Sequence, residues 1–524
     1  MLTTPRRARR AAAALCGLGL SVGPMLAAQA GPVRAEPDPA TPVSAAAFVD
    51  SIGVVTHFRY ANTTYGHVDE LLAKLDGLGI RHVRDGWSAN PDPEVVAAFH
   101  KLPEHGIKLN LVVGSAGNKT GSLPDPAPLL ASAEQNGLRP IVESIETANE
   151  WDTKGGPGWL EDLRSYQCKL FDAVHSSPAW TDVPVIGPSV ARKNRVSMLT
   201  DMGDCVDYVN LHNYANGGPP EEYLHMLDES RATAPGKPII VSETGYHSAM
   251  NRTQNQQPVA EDVKAQYLLR TLLENFRAGV MRTYVYQLAN ERPDPSMTDQ
   301  EAFFGLIRTD LSETPAYQAL QSLLTMLADD GAQGRVDTSP VDVTVTGRGG
   351  PTVEHLAFRK SDGTAYVALW TTGTLPDPAA AQASAEVRLG SGDKPVYLVD
   401  GRDVQDLGAT ATTTVTGLDK VKIIQVGGSA PTFAPASPAS PSAGPSPSAG
   451  PSPSAGPSPS TGPSPKAAES PASQSADSSS PMLWALVGGL TVLVLGGAGV
   501  LVARRRQRDP QVPVAPPPGS DSRP

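Results

Sequence analysis

Cysteine is scarce in this chain, which has three cysteines in 524 residues. Cys16 lies in the leader described below, so Cys168 and Cys205 alone remain in the exported part and can form at most one internal disulfide. In an oxidising compartment, two such cysteines either pair or stay buried as free thiols. We favour a disulfide between Cys168 and Cys205.

Concentrated positive charge is also absent from the folded part of the chain. The formal net charge of -11 is dispersed along the sequence, and no segment carries a basic stripe. Proteins that bind nucleic acid usually display such a stripe, because the phosphate backbone requires it. Nucleic acid is therefore not an expected partner.

The N-terminal segment has the features of a secretory signal peptide. Four arginines precede an apolar run over residues 11–27, and Ala28-Gln29-Ala30 offers a small-residue cleavage site. Residues 1–30 are therefore predicted to direct export, and the paired arginines leave general and twin-arginine export both open.

The C-terminal part predicts a stalk and a membrane anchor. Residues 427–480 are rich in Pro, Ser, Ala and Gly, repeat the motif PSPSAG, and contain too few apolar side chains to form a core. Residues 483–503 are uncharged and long enough to cross a bilayer as one helix. An arginine cluster opens residues 504–524, which predicts a cytoplasmic tail and a type I single-pass protein on the outer face of a bacterial membrane.

Between these ends, residues 48–330 alternate short β-branched runs with longer amphipathic ones. The predicted strands cover residues 53–57, 80–84, 108–114, 141–148, 183–188, 208–212, 239–242 and 281–287. Eight strand-helix units predict an α/β fold, the (β/α)8 TIM barrel, with its active site at the carboxyl ends of the strands. A doubly wound open sheet is the alternative, but no glycine-rich phosphate loop follows the first strand.

The pattern of residues 335–426 predicts strands without helices. Two alternating runs meet at Ser361-Asp362-Gly363, which is a hairpin signal. We expect a small all-β sandwich packed on the barrel. Since the segment carries no cluster of acids or histidines, a structural role is favoured over sugar binding.

Two glutamates follow apolar runs at predicted strand ends. Glu150 lies in "VESIETANEWD" after the fourth strand, and Glu243 lies in "KPIIVSETGYHS" after the seventh. A glycosidase needs two carboxyl groups across the scissile bond, one to protonate the leaving oxygen and one to attack or to activate water. Neither glutamate has an obvious structural reason for its position.

Polar side chains end the neighbouring strands as well. Arg84 ends the second strand in "RHVRDGW", and His212 and Tyr214 end the sixth in "NLHNYA". An arginine and a tyrosine hydroxyl beside a buried carboxylate lower its pKa and keep it ionised. Asn149, next to Glu150, can donate a hydrogen bond to a sugar hydroxyl in the transition state.

The motifs "ANEWD", "SETG", "VRDGW" and "LHNY" resemble those of retaining glycosidases on (β/α)8 barrels, in particular the cellulase-like and family 39 xylosidase/iduronidase enzymes. The resemblance covers residues 48–330. It implies a carbohydrate substrate, no cofactor and no metal, with Glu150 as general acid/base and Glu243 as nucleophile. It further implies that Asn149 binds a sugar hydroxyl and Arg84 contacts the nucleophile, which His212 and Tyr214 surround.

The sequence departs from that family at the eighth strand. Many members have a tryptophan there as a floor for the sugar, whereas "TYVYQLANE" offers Tyr286, which can also stack on a sugar face. Trp87 and Trp151 are further candidates for the cleft, with plain packing as the alternative for each. His57 ends the first strand, where a ligand-binding histidine and a core histidine both fit.

Three other side chains have open roles. Glu146 shares a strand face with Glu150 by the period of two and is a conceivable buried acid. Glu143 is expected in solvent near the start of that strand. His247, four residues after Glu243, can line the cleft.

Two other functions compete with glycoside hydrolysis. His57, His212 and His247 can be combined into a metal-dependent hydrolase site, but the first strand lacks the histidine pair usual in that chemistry. A cell-surface protein that keeps a glycosidase scaffold and only binds glycans is the second alternative. Because acid, nucleophile, arginine and tyrosine are all present, the sequence favours an exported, membrane-anchored retaining glycoside hydrolase that degrades an extracellular polysaccharide or glycoconjugate.

Overall fold

The computed structural model describes residues 41–114, 122–254, 256–329, 341, 343–348 and 351–433. The predicted signal peptide, membrane helix and cytoplasmic tail lie outside these ranges, as does the predicted linker beyond residue 433. No helix within the described ranges has the length and apolar character that crossing a membrane requires.

The described chain begins with a short strand, β1 (Val43–Ser44), and a helix, α1 (Ala45–Asp50). Eight barrel strands follow: β2 (Ile52–Val55), β3 (His82–Gly86), β4 (Lys108–Val112), β5 (Val142–Glu146), β6 (Val185–Ile186), β7 (Val209–His212), β8 (Ile239–Thr244) and β9 (Arg282–Val285). The helices between and after them are α2 (Val68–Leu78), α3 (Pro93–Lys101), α4 (Pro126–Gln135), α5 (Trp159–Ser176), α6 (His225–Arg231), α7 (Glu261–Arg277) and α8 (Pro315–Leu327). A 3₁₀ segment, Lys193–Met198, replaces the helix after β6.

The barrel strands are all parallel and pair in the order β6-β5-β4-β3-β2-β9-β8-β7. A parallel bridge between Ile186 and Tyr208 joins the two ends of this sheet. The predicted (β/α)8 barrel is therefore confirmed, and the doubly wound open sheet is excluded, since its edges would not meet.

Hydrophobic periodicity explains how the helices cover the barrel. In α2, Leu71, Leu72, Leu75 and Leu78 are all buried on one face. Each buried leucine contributes about 1.5–3 kcal/mol relative to an exposed one. Because helices cover the outer face of the sheet and the closed barrel encloses its inner face, a strand such as β2 is buried on both faces.

Several predicted strands are longer than the observed ones. The fifth is predicted over residues 183–188 but consists of Val185–Ile186 alone. Pro184 and Pro188 flank this pair. Proline has no N–H to contribute to a strand ladder, so the ladder cannot extend in either direction.

The remaining strands form the predicted β-sandwich. They are β10 (Val343–Arg348), β11 (Val353–Arg359), β12 (Ala365–Thr371), β13 (Ser384–Leu389), β14 (Pro395–Asp400), β15 (Asp403–Ala409), β16 (Thr412–Thr416) and β17 (Lys422–Val426), with one short helix, α9 (Pro378–Gln382). One sheet has the order β1-β11-β12-β17-β14-β15, and the other has the order β10-β13-β16. Antiparallel pairing of β11 with β12 confirms the predicted hairpin.

One sheet of the sandwich includes a strand that the sequence pattern did not predict. Strand β1, from the N-terminal segment, pairs in parallel with β11 through Val43 and Phe358. A strand of two residues has no periodicity for a sequence to display. Its partner is also remote along the chain, so the pairing appears only when the chain has folded.

The sandwich packs on helix α7 of the barrel. Trp370 Nε1 donates to Glu274 Oε1 at 3.0 Å, and the backbone N–H of Leu375 donates to the Tyr267 hydroxyl at 2.7 Å. Trp370 is 1% exposed. A buried indole with its N–H satisfied contributes apolar area without the cost of an unpaired donor.

Cys168 and Cys205 form a disulfide, as predicted. It joins helix α5 to the 3₁₀ turn Gly203–Cys205 that precedes β7. The bond therefore ties together two barrel segments that are separated by 37 positions in sequence.

Candidate active site

The carboxyl ends of the barrel strands surround a cavity of about 240 Å³. Seven predicted site residues line it: His57, Arg84, Asn149, Glu150, Tyr214, Glu243 and Tyr286. A larger cavity of about 480 Å³ lies elsewhere, between helices α7 and α8 and the sandwich. The chemistry of the candidate residues, rather than cavity size, identifies the smaller one as the site.

Glu243 lies near the end of β8 and is 7% exposed. Arg84 Nη1 donates to its Oε1 at 2.5 Å, and the Tyr214 hydroxyl donates to its Oε2 at 2.9 Å. Each oxygen of this carboxylate therefore has its own donor. Such an arrangement fixes the orientation of the carboxylate.

Arg84 also forms a second carboxylate pair, with Glu146. Arg84 Nε and Nη2 donate to the two oxygens of Glu146 at 2.9 and 2.7 Å. Burial raises the pKa of Glu146, but the charge and hydrogen bonds of Arg84 lower it by more, so this fully buried group is ionised. Burial lowers the pKa of Arg84, while Glu146 and Glu243 together raise it above its usual value.

Glu150 follows β5 and has a left-handed backbone, with φ 49° and ψ 46°. A residue other than glycine in this region costs about 1–3 kcal/mol and is held there by its surroundings. Its side chain is 25% exposed, and His212 Nδ1 lies 2.9 Å from its Oε1. The backbone turn thus presents a partly exposed carboxyl group at the cavity.

His212 lies between carboxylates. Its Nε2 is 3.0 Å from the Ser242 hydroxyl, and its Nδ1 is 3.6 Å from Glu243 Oε2. Burial lowers the pKa of His212, but Glu243, Glu146 and Glu150 raise it to about 9, so the imidazole carries a proton at neutral pH. Burial raises the pKa of Glu150, and the hydrogen bond and charge of His212 lower it by more.

The two predicted catalytic glutamates are close together. One oxygen of Glu150 and one of Glu243 lie within 4.8 Å of each other. Retaining glycosidases have carboxyl groups about 5–5.5 Å apart, whereas inverting enzymes separate them by about 6.5–9.5 Å to admit a water. The nearest oxygens of this pair lie within the shorter of these two separations.

Asn149 and Tyr286 flank the two glutamates. Arg84 Nη2 donates to Asn149 Oδ1 at 2.7 Å, which fixes the orientation of the amide. The Tyr286 hydroxyl donates to Glu301 Oε2 at 2.8 Å, and its ring packs edge-on against Phe304 with centroids 5.1 Å apart. The peptide bond after Tyr286 is cis.

His57 is a buried member of the cavity wall. Its Nε2 is 3.3 Å from the Tyr286 hydroxyl. Burial lowers the pKa of His57 well below its usual range, and the charges of Arg59 and Arg84 lower it further. The ring is therefore neutral and can donate or accept one hydrogen bond.

Sequence reasoning missed other residues that line the cavity. They are Thr56, Arg59, Tyr60, Asp85, Gly86, Lys154, Gln256, Gln300, Glu301 and Phe304, with Val55 and Val112. Burial raises the pKa of Asp85 to about 6 and also raises the pKa of Glu301. Asp85 adjoins Arg84 in "VRDGW", so that motif could have indicated it, whereas Glu301 lies in a loop with no periodic signal.

Four further residues discussed from the sequence lie away from the cavity lining. Trp151 is 3% exposed and packs in a core cluster, and Trp87 is 1% exposed and stacks on Phe99; neither is among the described residues that line the cavity. Bulky apolar rings gain more from burial than from a position on a wet rim. His247 is likewise buried, and its Nε2 bonds to the carbonyl of Gln256.

Glu143 is the fourth of these residues, and it does not lie in open solvent as the sequence predicted. His82 Nδ1 lies 2.9 Å from its carboxylate, and Arg282 Nη1 lies 3.1 Å from it. These residues begin their strands, so Glu143 belongs to an ion cluster at the opposite end of the barrel from the cavity. Buried charge there requires partners, which these two cations supply.

The three histidines considered for a metal site do not come together. Within the described residues, one group could hold a metal by geometry: Glu150, His212 and Glu243, with ligand atoms within 4.8 Å of one another. Arg84 already contacts Glu243, and the charge of that guanidinium opposes a cation at the same place.

No protein-family model matches the sequence, and no curated protein matches it. Among solved structures, the chain is similar to a family 39 glycoside hydrolase from the gut symbiont Bacteroides cellulosilyticus WH2. The identity is 16%, the TM-score is 0.50, and the match covers 72% of this chain and 82% of that one. The two chains share a fold. The predicted resemblance is therefore confirmed at the level of the fold.

Two further solved structures are similar. A GH39 β-xylosidase from Caulobacter crescentus is 15% identical, with a TM-score of 0.49 and coverage of 75% of this chain and 98% of that one. The GH39 enzyme from Xanthomonas axonopodis pv. citri is 13% identical, with a TM-score of 0.48 and coverage of 74% and 96%.

Proposed function

We propose that this chain is a retaining glycoside hydrolase that cleaves O-glycosidic bonds of a polysaccharide or glycoconjugate. The observation that carries the proposal is the separation of Glu150 and Glu243, whose nearest carboxylate oxygens lie within 4.8 Å across the cavity. The fold shared with a family 39 glycoside hydrolase supports it.

In the first step, a carboxylate oxygen of Glu243 attacks the anomeric carbon while the bond from that carbon to the leaving oxygen breaks. A proton passes to the leaving oxygen from Glu150. The hydrogen bonds from Arg84 and Tyr214 support this role, because they orient the Glu243 carboxylate for attack.

Glu150 and His212 share the proton that this step uses. With His212 charged, its pKa raised to about 9, one proton lies on the pair throughout the neutral range. The 2.9 Å contact between Nδ1 and Glu150 Oε1 lets that proton move to the carboxyl group as the leaving oxygen takes up charge. Bound sugar excludes water from Glu150, which further favours its neutral form.

In the second step, water attacks the anomeric carbon from the face that the leaving group vacated. Glu150 removes a proton from the water, and the bond between the sugar and Glu243 breaks. The sugar leaves with its original anomeric configuration. The approach of Glu150 to within 4.8 Å of Glu243 supports this second role, because the same carboxylate reaches the reacting carbon.

The remaining cavity residues are proposed to hold the sugar. Asn149 and Tyr286 flank the reacting carbon, one as a hydroxyl-binding amide and the other as an aromatic surface. His57 contributes a neutral polar group beside Tyr286. Trp151, which is buried in the core, is no longer a candidate for this set.

We further propose that the enzyme acts outside a bacterial cell, anchored by residues 483–503. The leader, the proline-rich segment and the arginine cluster after the apolar stretch support this placement. The disulfide between Cys168 and Cys205 also supports it, since such bonds persist in oxidising compartments.

The test is turnover of aryl glycosides and cell-wall polysaccharides by the full chain, with wild type, Glu243→Ala, Glu150→Ala and Glu104→Ala compared. Glu104 is exposed and serves as the matched control. We expect Glu243→Ala to lose turnover, Glu150→Ala to regain part of it with azide, and NMR of the first product to show retained configuration.

Two results would contradict the proposal. An inverted product would assign the pair to the single-displacement class despite its short separation. Tight glycan binding without turnover by any variant would instead identify a non-catalytic cell-surface glycan-binding protein.

A further inference from the structure

Glu146 is fully buried and is not among the described residues that line the cavity, so it is placed to act on catalysis through its neighbours alone. We propose that Glu146 is a positioning residue that orients both cations of the active site, Arg84 directly and His212 through Ser242. The inference rests on the proposed glycosidase function for its role in catalysis, but the contacts that carry it do not.

The Glu146 carboxylate receives four hydrogen bonds. Oε1 accepts from Arg84 Nη2 at 2.7 Å and from the Ser242 hydroxyl at 3.1 Å. Oε2 accepts from Arg84 Nε at 2.9 Å and from Asn110 Nδ2 at 2.9 Å. A buried carboxylate with two donors on each oxygen has its full complement of partners and one fixed orientation.

The double contact to Glu146 aims Arg84. A bidentate pair fixes the plane of the guanidinium, and Nη1 then projects to Glu243. Arg84 divides its charge between two carboxylates in this arrangement. Without the charge of Glu146, Arg84 would pair with Glu243 alone, and the stronger pairing would make that carboxylate a weaker nucleophile.

The Ser242 hydroxyl determines which nitrogen of His212 always carries hydrogen. Since the single hydrogen of Ser242 is donated to the ionised Glu146, its oxygen must accept from His212 Nε2, which is 3.0 Å away. Nδ1 is then the nitrogen that gains or loses a proton, and it faces Glu150 at 2.9 Å. The tautomer of a histidine is set by the hydrogen bond that its other nitrogen makes.

Because Nε2 keeps its hydrogen, His212 exchanges its proton through Nδ1, and the partner in this exchange is Glu150. Four charged or polar groups face the imidazole: Glu146 and Glu150 from β5 and its loop, and Ser242 and Glu243 from β8. Arg84 from β3 pairs with two of these carboxylates, Glu146 and Glu243. Glu146 Oε1 is 3.9 Å from Nε2, close enough for its charge to stabilise the imidazolium.

The test is an NMR titration of the full chain with ¹⁵N-labelled histidine, in wild type, Glu146→Gln, Ser242→Ala and Glu143→Gln. The chain has ten histidines, so His212→Gln suffices to assign the signal. Glu143→Gln is the matched control, because it removes the same charge from the same strand at its opposite end.

We expect the pKa of His212 to fall by about one unit or more in Glu146→Gln, to fall less in Ser242→Ala, and to stay unchanged in Glu143→Gln. Above its pKa, the wild-type ring should have its hydrogen on Nε2. An unchanged His212 pKa in Glu146→Gln, or hydrogen on Nδ1 in wild type, would overturn the inference. Should Glu146→Gln fail to fold, an unchanged pKa and tautomer in Ser242→Ala would overturn it equally.

With an active substrate, Glu146→Gln should lower kcat with little change in KM, and the alkaline limb of the rate profile should move by the same amount as the His212 pKa. If Glu146→Gln lowers stability while the alkaline limb of the rate profile stays in place, Glu146 has a merely structural role. Absence of turnover in wild type would count against the proposed function, whereas the His212 titration would still support or overturn the role of Glu146.

Discussion

The hydroxyl of Tyr214 donates to Oε2 of Glu243 at 2.9 Å, on the oxygen that Arg84 does not contact. Burial and the charge of Glu243 raise the pKa of this hydroxyl well above its usual value, so it keeps its hydrogen over the working pH range. The proposed nucleophile is thus held by one charged and one neutral donor.

Replacing Tyr214 with phenylalanine should lower kcat by about 10- to 100-fold, the equivalent of the 1.5–3 kcal/mol of a hydrogen bond to a charged group. Tyr317→Phe is the control, since that hydroxyl donates to the carbonyl of Lys74 on the outer side of the barrel. Steady-state kinetics and melting temperatures of the two variants should be compared. Equal losses of activity in both would show that Tyr214 acts through general stability.

His212 should make stability depend on pH. Its pKa is about 9 in the folded chain, above the usual 6.5, so folding takes up a proton. The stabilisation is fully present below pH 6.5 and is lost as pH rises through 9. The gap in unfolding free energy between wild type and His212→Gln should therefore shrink by about 3 kcal/mol over this range, which urea titrations can measure. A gap that is constant from pH 6 to pH 10 would refute this.

Lys264 should hold the loop that carries Glu301 and Phe304. Its ammonium is buried in α7 and donates to the carbonyls of Phe303, Phe304 and Gly305 at 2.7–3.0 Å. Lys264→Met leaves these carbonyls without that donor, which should cost about 2–4 kcal/mol of stability and raise KM as the cavity wall shifts. Melting and kinetics should be measured together.

The control for that experiment is Lys74→Met, which removes a partly exposed ion pair with Glu313 from the outside of the barrel. We expect it to change KM little. If Lys264→Met melts early but keeps its KM, the loop is held in place by other contacts, such as the bond from Gly305 N–H to Asn290.

The disulfide should stabilise the barrel without affecting catalysis. Replacing Cys168 and Cys205 with serine opens the loop between two positions that are 37 residues apart. For a loop of this length, the loop-entropy relation gives a loss of about 4 kcal/mol in the free energy of unfolding. Neither cysteine belongs to the described cavity lining, so kcat should be unchanged at temperatures where the variant is folded. Reductant should destabilise wild type alone; an equal effect on the serine variant would contradict the prediction.

The sequence by itself was sufficient to predict the barrel, the two proposed catalytic glutamates and the side chains that contact them. Apolar runs ending in Glu150, Arg84 or Glu243 predict strand ends, and parallel strands bring those ends to one rim. Local pattern also indicated the sandwich hairpin. Periodicity reports which face of an element is apolar, and this was enough to place each functional side chain at the correct end of its strand.

Distances across the rim were decided by tertiary structure alone. Arg84 is 62 residues from Glu146 and 159 from Glu243, and its bonds to both depend on the register in which the barrel closes. The same holds for the link from Glu146 through Ser242 to His212. Packing also decides three other features: the burial of Trp151, the ion pairs of Glu143 and the pairing of strand β1. A one-dimensional pattern specifies the faces and ends of helices and strands, but it does not specify which distant segments meet.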